Sequence, residues 1–437
     1  MVETGISGST PQSETQANWR KRICFRILLG CVLVVLVGCR TMSQSASLSQ
    51  VDYSRLRTQS TNALVNAKPS IIKSQWEKLN PFQAETDWYN EAGQNATKPV
   101  QQAGYATLKL EDHHTLVLSG GGQYGAFSVG VLKGWSQSGK RPDFNVVTGI
   151  STGALIAPFA FLGSQYDDVL VKNYLSTSST DIYRKKSWMT VLWDDSVADP
   201  KPFRRKIEAE VTPEIVELIA QRHQKGHRLY IGTTDLRRRK LVTWDIGAIA
   251  SGERKDKVKL IQRLMLASCS VPGFFPPVGI EIEVDGQRYV EYHVDGSVAA
   301  SILLQPEMLP GKDSNQQGHV HVIVAGNAET ESTELKHKAI PLVMDALAGV
   351  MQTRFELDLM NAYLMANWSG ASFEMTAVPN DISANSDMLS FSPELMNNLY
   401  QVGQQLGVAS ESWQKTVPHF QPEQQEGPRS GTLFTTK

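Results

Sequence analysis

The 437-residue chain is poor in cysteine, carries no excess of either charge, and offers no clean apolar run of membrane-spanning length. Four cysteines in a chain of this size exclude a disulfide scaffold. Neither a CxxC pair nor a zinc-type spacing of histidines occurs, so no metal site is expected. With 43 basic and 44 acidic side chains the formal charge is −1, so no overall field favours nucleic acid or an acidic partner. What is present is globular composition: 41% hydrophobic and 20% charged residues exclude a disordered tail protein, a collagen-like fibre and a polytopic membrane protein.

The N-terminus reads as an address. Arg20, Lys21 and Arg22 precede an apolar stretch whose uninterrupted part, Ile27 to Gly38, is twelve residues long. A spanning helix needs about twenty, so a signal-peptide core fits better. Leu36-Val37-Gly38-Cys39 resembles the bacterial lipobox, in which cleavage before the cysteine leaves its thiol and amine to carry lipid. Cys39 is then acylated and Cys269 is the only free thiol. Arg40 is not the aspartate that marks inner-membrane retention, so a cell-envelope protein anchored in the outer membrane is expected. A polar stretch with serine at positions 43, 45, 47 and 49 follows as a tether. Weak helical patterning (Leu64, Ile71, Ile72, Trp76, Leu79) suggests an arm packed on the main domain.

The chemistry-bearing segments begin at Thr115. A short β-rich run to Ser119 leads into Gly120-Gly121-Gly122-Gln123-Tyr124-Gly125 and then a helical pattern (Ala126, Phe127, Val129, Val131, Leu132, Trp135). Strand, glycine turn and helix aim backbone N–H groups at one point that suits an anion. Gly120-x-Gly122-x-x-Gly125 also matches the dinucleotide fingerprint, which requires an acidic residue at the end of the next strand. That strand, Asn145 to Thr148, ends instead in Gly149-Ile150-Ser151-Thr152-Gly153, and Asp143 lies before it, so the dinucleotide reading fails. Gly149-x-Ser151-x-Gly153 is a nucleophile elbow between a strand and an apolar helix, and the glycine turn upstream supplies a ready oxyanion hole.

Two kinds of base could serve Ser151. His319 and His321 come late enough for a Ser-Asp-His triad, yet they alternate along a strand, where packing or surface roles are commoner. Asp295, in His293-Val294-Asp295-Gly296-Ser297, lies before a glycine, a pattern common in turns.

Three motifs, Gly120 to Gly125, Gly149 to Gly153 and Asp295-Gly296, resemble in order and spacing those of the patatin-like phospholipases. Ala267-Ser268-Cys269-Ser270-Val271-Pro272-Gly273-Phe274-Phe275-Pro276-Pro277 resembles a fourth segment of that family. The resemblance spans roughly 115–324. It implies a three-layer α/β/α fold with a central, mostly parallel sheet and the nucleophile elbow after a strand. It further implies a Ser–Asp dyad without histidine: Ser151 as nucleophile, Asp295 as general base, and the N–H groups of the loop holding Gly120, Gly121, Gly122 and Gly125 as oxyanion hole. The substrates implied are acyl-ester lipids, and no cofactor is needed. Two positions depart from the family: Tyr124 stands where Arg or Lys is frequent, and Ser297 follows Asp295-Gly296 where Gly or Ala is usual. Three readings therefore stand: a lipid acyl hydrolase of patatin type, a Ser-Asp-His esterase, and a catalytically idle lipoprotein that binds lipid or protein.

The remaining pattern fits an α/β domain. Arg228 to Gly232 and Lys240 to Asp245 read as a hairpin whose turn carries Arg237, Arg238 and Arg239, a solvated run. Lys257 to Leu266, Pro341 to Trp368 and Phe391 to Leu406 read as amphipathic helices, and Ser372 to Val378 as a strand. Trp188 to Trp193 reads as core sooner than as a membrane-touching lid. The domain limits expected are a lipoprotein signal peptide over 1–38, tether and arm over 39–105, a catalytic domain over 106–410, and a polar tail over 411–437 that is loose from Val417.

Overall fold

A computed structural model describes residues 112–186, 196–284, 287–310, 316–328, 339–380, 382 and 389–418. The expected signal peptide, Cys39, the tether and arm, and Trp188 to Trp193 lie outside the described residues.

The strands are β1 (His113–Leu118), β2 (Val146–Ile150), β3 (Arg184–Lys185), β4 (Ala198–Asp199), β5 (Arg228–Asp235), β6 (Lys240–Asp245), β7 (Val278–Val284), β8 (Gln287–Asp295), β9 (Gly318–Asn327) and β10 (Ser372–Val378). The helices longer than one 3-10 turn are α1 (Gly125–Gln137), α2 (Thr152–Leu162), α3 (Asp167–Leu175), α4 (Ser179–Ile182), α5 (Lys201–Glu210), α6 (Pro213–Gln224), α7 (Ile246–Ser251), α8 (Lys257–Ser268), α9 (Ala339–Ser369) and α10 (Pro393–Val408). The main sheet runs β10-β9-β1-β2-β5-β8-β7, with β6 paired to β5, while β3 and β4 form a separate two-stranded ribbon. β10, β9, β1, β2 and β5 are mutually parallel; β6, β8 and β7 join antiparallel. The central parallel strands are buried on both faces, which is why β1 and β2 read as continuous apolar runs without alternation.

Chain order reverses direction at β1, whose neighbours are β2 on one side and β9 on the other. Right-handed crossovers place α1 and α2 on one face and α9 on the other. One face buries Leu116, Leu118 and Val147 beneath Phe127, Leu132 and Phe159 of α1 and α2. The opposite face buries Val117, Val320, Val322 and Met375, and α9 contacts β9 and β10. The crevice beyond the carboxyl ends of β1 and β2 sits at this reversal, the place where open α/β sheets bind ligands.

Local signals agree with the elements. Thr212, Asp245 and Ser392 accept hydrogen bonds from the backbone N–H three residues on and so begin α6, α7 and α10. Pro213 and Pro393 occupy first-turn positions, where a missing N–H does no harm. α1 and α10 touch backbone to backbone. A Cβ on Gly130 would lie 2.1 Å from the carbonyl oxygen of Tyr400, and one on Gly403 would lie 2.2 Å from that of Phe127.

The expected hairpin, helices over the three expected segments and the Ser372–Val378 strand are all present, although Val350 of α9, read as part of an apolar face, is exposed. Trp413 and Val417 are buried, Gln414 exchanges backbone hydrogen bonds with Met375, and the Trp413 indole donates to the Leu406 carbonyl while its ring meets Trp135. The polar segment expected over 411–437 is thus held against the domain as far as it is described, through 418, because an apolar ring and a sheet edge stand ready to hold it.

Candidate active site

Ser151 follows β2 and caps α2 at φ 53°, ψ −122°, a left-handed conformation that only a tightly held side-chain-bearing residue keeps. The two glycines of its pentapeptide make room for that turn. A Cβ on Gly149 would sit 2.3 Å from the Gly153 carbonyl oxygen, and one on Gly153 would sit 2.4 Å from that of Leu118. The Ser151 N–H donates to Ser268 Oγ at 3.0 Å, and that hydroxyl donates onward to the Gly232 carbonyl at 2.7 Å. The elbow is thus tied to α8 and to β5.

The partner arrives along β5. The first part of β5 pairs with β2, ending at Ile150 opposite Gly232; the next position, Thr233, pairs with Asp295 at the end of β8. β6 occupies the other edge of β5 over the same stretch. β2 and β8 therefore meet end to end on one edge of a shared strand, and their terminal residues converge. Ser151 Oγ donates to Asp295 Oδ2 at 2.6 Å. The other carboxylate oxygen, Oδ1, accepts from the Ser297 N–H at 2.8 Å. The aspartate backbone is fixed on both sides: its N–H donates to the Ser270 carbonyl, and its carbonyl accepts from Thr234 Oγ1. Gly296 is needed where the chain turns, since a Cβ there would lie 2.6 Å from the Gly232 carbonyl oxygen.

Ser151 is 8% exposed and Asp295 3%. Burial raises the Asp295 pKa to about 6, against the hydrogen bonds from Ser151 and Ser297, which favour the carboxylate. A carboxyl group tuned to that range is still ionised at neutral pH yet a stronger base than a solvated one. Burial also pushes the Cys269 thiol up, with the Asp295 charge adding to the effect.

The glycine loop stands against this pair. A Cβ on Gly120 would fall 3.2 Å from Ser151 Cβ and 2.5 Å from Ser297 Oγ. Gly121 and Gly122 take φ 155° and φ 55°, and a Cβ on Gly121 would strike the Ala325 carbonyl of β9. Gly125 begins α1, with Thr152 Oγ1 2.3 Å from where its Cβ would be. The loop, the elbow and the aspartate, distant in sequence, share one crevice.

Residues 116–306 match the family model described as Patatin-like phospholipase. This segment belongs to the patatin-like phospholipase family. The mostly parallel sheet with flanking helices is the patatin fold.

Within the patatin-like domain, the two positions that depart from the family have plain surroundings. Tyr124 is buried in the core beside α1. Ser297 uses its backbone to hold Asp295 and its side chain to crowd Gly120. His319 and His321 are far from the pair: on β9 they lie opposite His114 and Leu116, toward the amino ends of the strands. Among the described residues no histidine hydrogen-bonds to Ser151 or Asp295. His293, two positions before Asp295, turns its ring to Thr233 and Glu291. In the basic turn, Arg238 pairs with Glu291 and Asp235, and Arg237 and Arg239 are exposed. Ser268 is the site residue given no role from the sequence; its place in the Ala267-Ser268 segment was the available signal.

No curated protein matches the chain. Among solved structures it is similar to VipD from Legionella pneumophila, with 11% identity and a TM-score of 0.36, covering 68% of this chain and 67% of that one. It is also similar to the type III effector protein ExoU, known from Pseudomonas aeruginosa, with 13% identity and a TM-score of 0.32, covering 68% of this chain and 52% of that one. The match thus spans about two thirds of the first relative and half of the second.

Proposed function

We propose that the protein is a lipid acyl hydrolase, of phospholipase A or lipase/esterase type, that works through a Ser–Asp dyad. The observation that carries this reading is the 2.6 Å hydrogen bond from Ser151 Oγ to a buried Asp295 carboxylate. Asp295 takes the hydroxyl proton as Ser151 attacks the ester carbonyl, and the backbone N–H groups of Gly120, Gly121 and Gly122 receive the oxyanion. The proton passes to the departing alcohol, leaving an acyl-enzyme on Ser151. Asp295 then takes a proton from water as that water attacks the acyl carbonyl, and returns it to Ser151 Oγ as the tetrahedral intermediate collapses and frees the fatty acid. No step needs a metal. The Ser-Asp-His alternative gains nothing from the geometry, since His319 and His321 lie at the other end of the strands.

The test is a fluorophosphonate probe on the full chain in detergent, with the adduct mapped by peptide mass spectrometry. The expected result is one adduct, on Ser151, lost in Asp295→Asn. A folded protein that takes no adduct would sink the hydrolase reading and favour a lipid-binding role instead.

A further inference from the structure

At the amino ends of the strands, opposite the catalytic crevice, three imidazoles and two carboxylates gather. The register sets His114 beside His319 on β9 and Ser372 on β10, and in the next row Leu116 beside His321 and Glu374. The rings of His114 and His319 stack at 4.8 Å between centroids, and those of His114 and His321 at 5.3 Å. Each of the first two rings has its Nδ1 engaged: His114 Nδ1 lies 3.0 Å from His321 Nε2, and His319 Nδ1 lies 2.7 Å from Ser372 Oγ. Behind His321, Glu374 reaches its Nδ1 at 3.5 Å. That leaves Nε2 on both His114 and His319. Asp112, where the chain enters β1, brings a carboxylate oxygen to 3.6 Å from His319 Nε2. One donor atom from each of Asp112, His114 and His319 falls within 4.8 Å of the others. Among the described residues, His319 Nε2 is shielded from solvent yet has no hydrogen-bond partner, and His321 Nδ1 has none within hydrogen-bond geometry. Buried ring nitrogens without partners are uncommon, and a lone pair facing a carboxylate and a second lone pair is the donor set of a cation site.

We propose that Asp112, His114 and His319 bind a divalent transition-metal ion, Zn2+ before others, through one carboxylate oxygen and two Nε2 atoms, with water in the fourth position. Two imidazoles and a carboxylate suit zinc better than the oxygen-seeking Mg2+ or Ca2+. Bond lengths near 2 Å require the donors to close by roughly an ångström, within reach of small turns of the two rings. Outer partners are already in place: His114 Nδ1 is hydrogen-bonded with His321 Nε2, Glu374 stands 3.5 Å behind His321 Nδ1, and His319 Nδ1 is hydrogen-bonded with Ser372 Oγ. The ion pins the start of β1 to β9. Six strand positions separate this level from Ser151, about 20 Å, so its role is structural, apart from the ester chemistry.

The experiment uses the full chain after exhaustive chelation. Co2+ is titrated in as a visible reporter, Zn2+ is added in competition, and thermal unfolding is followed with and without Zn2+. The expected result is one Co2+ per chain with tetrahedral d–d absorption, displaced by Zn2+, and a Zn2+-dependent rise in melting temperature. His114→Gln with His319→Gln abolishes both, Glu374→Gln weakens binding about 10- to 100-fold, and Ser151→Ala leaves binding as in the parent. A folded parent chain that binds no Co2+, or one that binds it equally well in the double variant, overturns the proposal.

Discussion

Asp295 is asked to be buried and charged at once, and the two demands set a pH window. Its carboxyl titrates near 6 in the folded chain and near 3.8 when solvated. Ester hydrolysis should therefore climb as pH rises through about 6 and level off above it, which a kcat/KM profile on a soluble ester reads directly. Stability runs the opposite way. Below 3.8 both folded and unfolded chains hold the proton; between 3.8 and about 6 only the folded chain does; above 6 the folded chain carries a buried charge that water would have solvated. The favourable contribution is thus present at low pH and lost as pH rises through 6, a difference of about 3 kcal/mol. Asp295→Asn should remove that penalty. We expect activity to fall at least about 10^4-fold, while the melting temperature at pH 8 rises above the parent's and the two converge toward pH 4. A variant less stable than the parent at pH 8 would contradict the account.

At the scale of elements, the site exists because β5 carries two different strands along one edge. Sequence patterning places Ser151 at the end of a strand and Asp295 at the end of another. Their meeting depends on a register that no local pattern encodes, Ile150 opposite Gly232 and Asp295 opposite Thr233. β7 was open to reading, since Val278 to Val284 alternates Val, Ile and Glu with the period of a strand, but its pairing with β8 was not. The packing of α1 on α10 is likewise a meeting of distant segments. Glycines at 130, 134, 403 and 407 look like weak points in two helices until the crossing shows that each faces a carbonyl of the other helix. Gly403→Ala should force the helices apart and lose about 1–3 kcal/mol in urea unfolding. Unchanged stability would mean that the helices close less tightly than these contacts require.

For the whole molecule, the catalytic domain and its address are separate statements. We propose that the chain is tethered to the bacterial outer membrane through lipid on Cys39, which would hold the catalytic crevice near acyl-ester lipids. Expression in a Gram-negative host with labelled palmitate should give a labelled protein in the outer-membrane fraction, and Cys39→Ser should abolish the label and release the protein. Label persisting in Cys39→Ser would refute the anchor.

The sequence alone determined the elbow, the glycine turn, the aspartate and the family they resemble, because each is a local motif whose turn geometry demands particular small residues. It also determined, through periodicity, helices α1, α2, α8, α9 and α10 and strands β1, β2, β5, β6, β9 and β10. Only the tertiary structure decided that Asp295 reaches Ser151 while His319 and His321 do not, that Trp413 packs on Trp135, and that Asp112, His114 and His319 converge. These are matters of strand register and crossover. Burial energy summed over the whole sheet fixes them, and no short window of residues contains that sum.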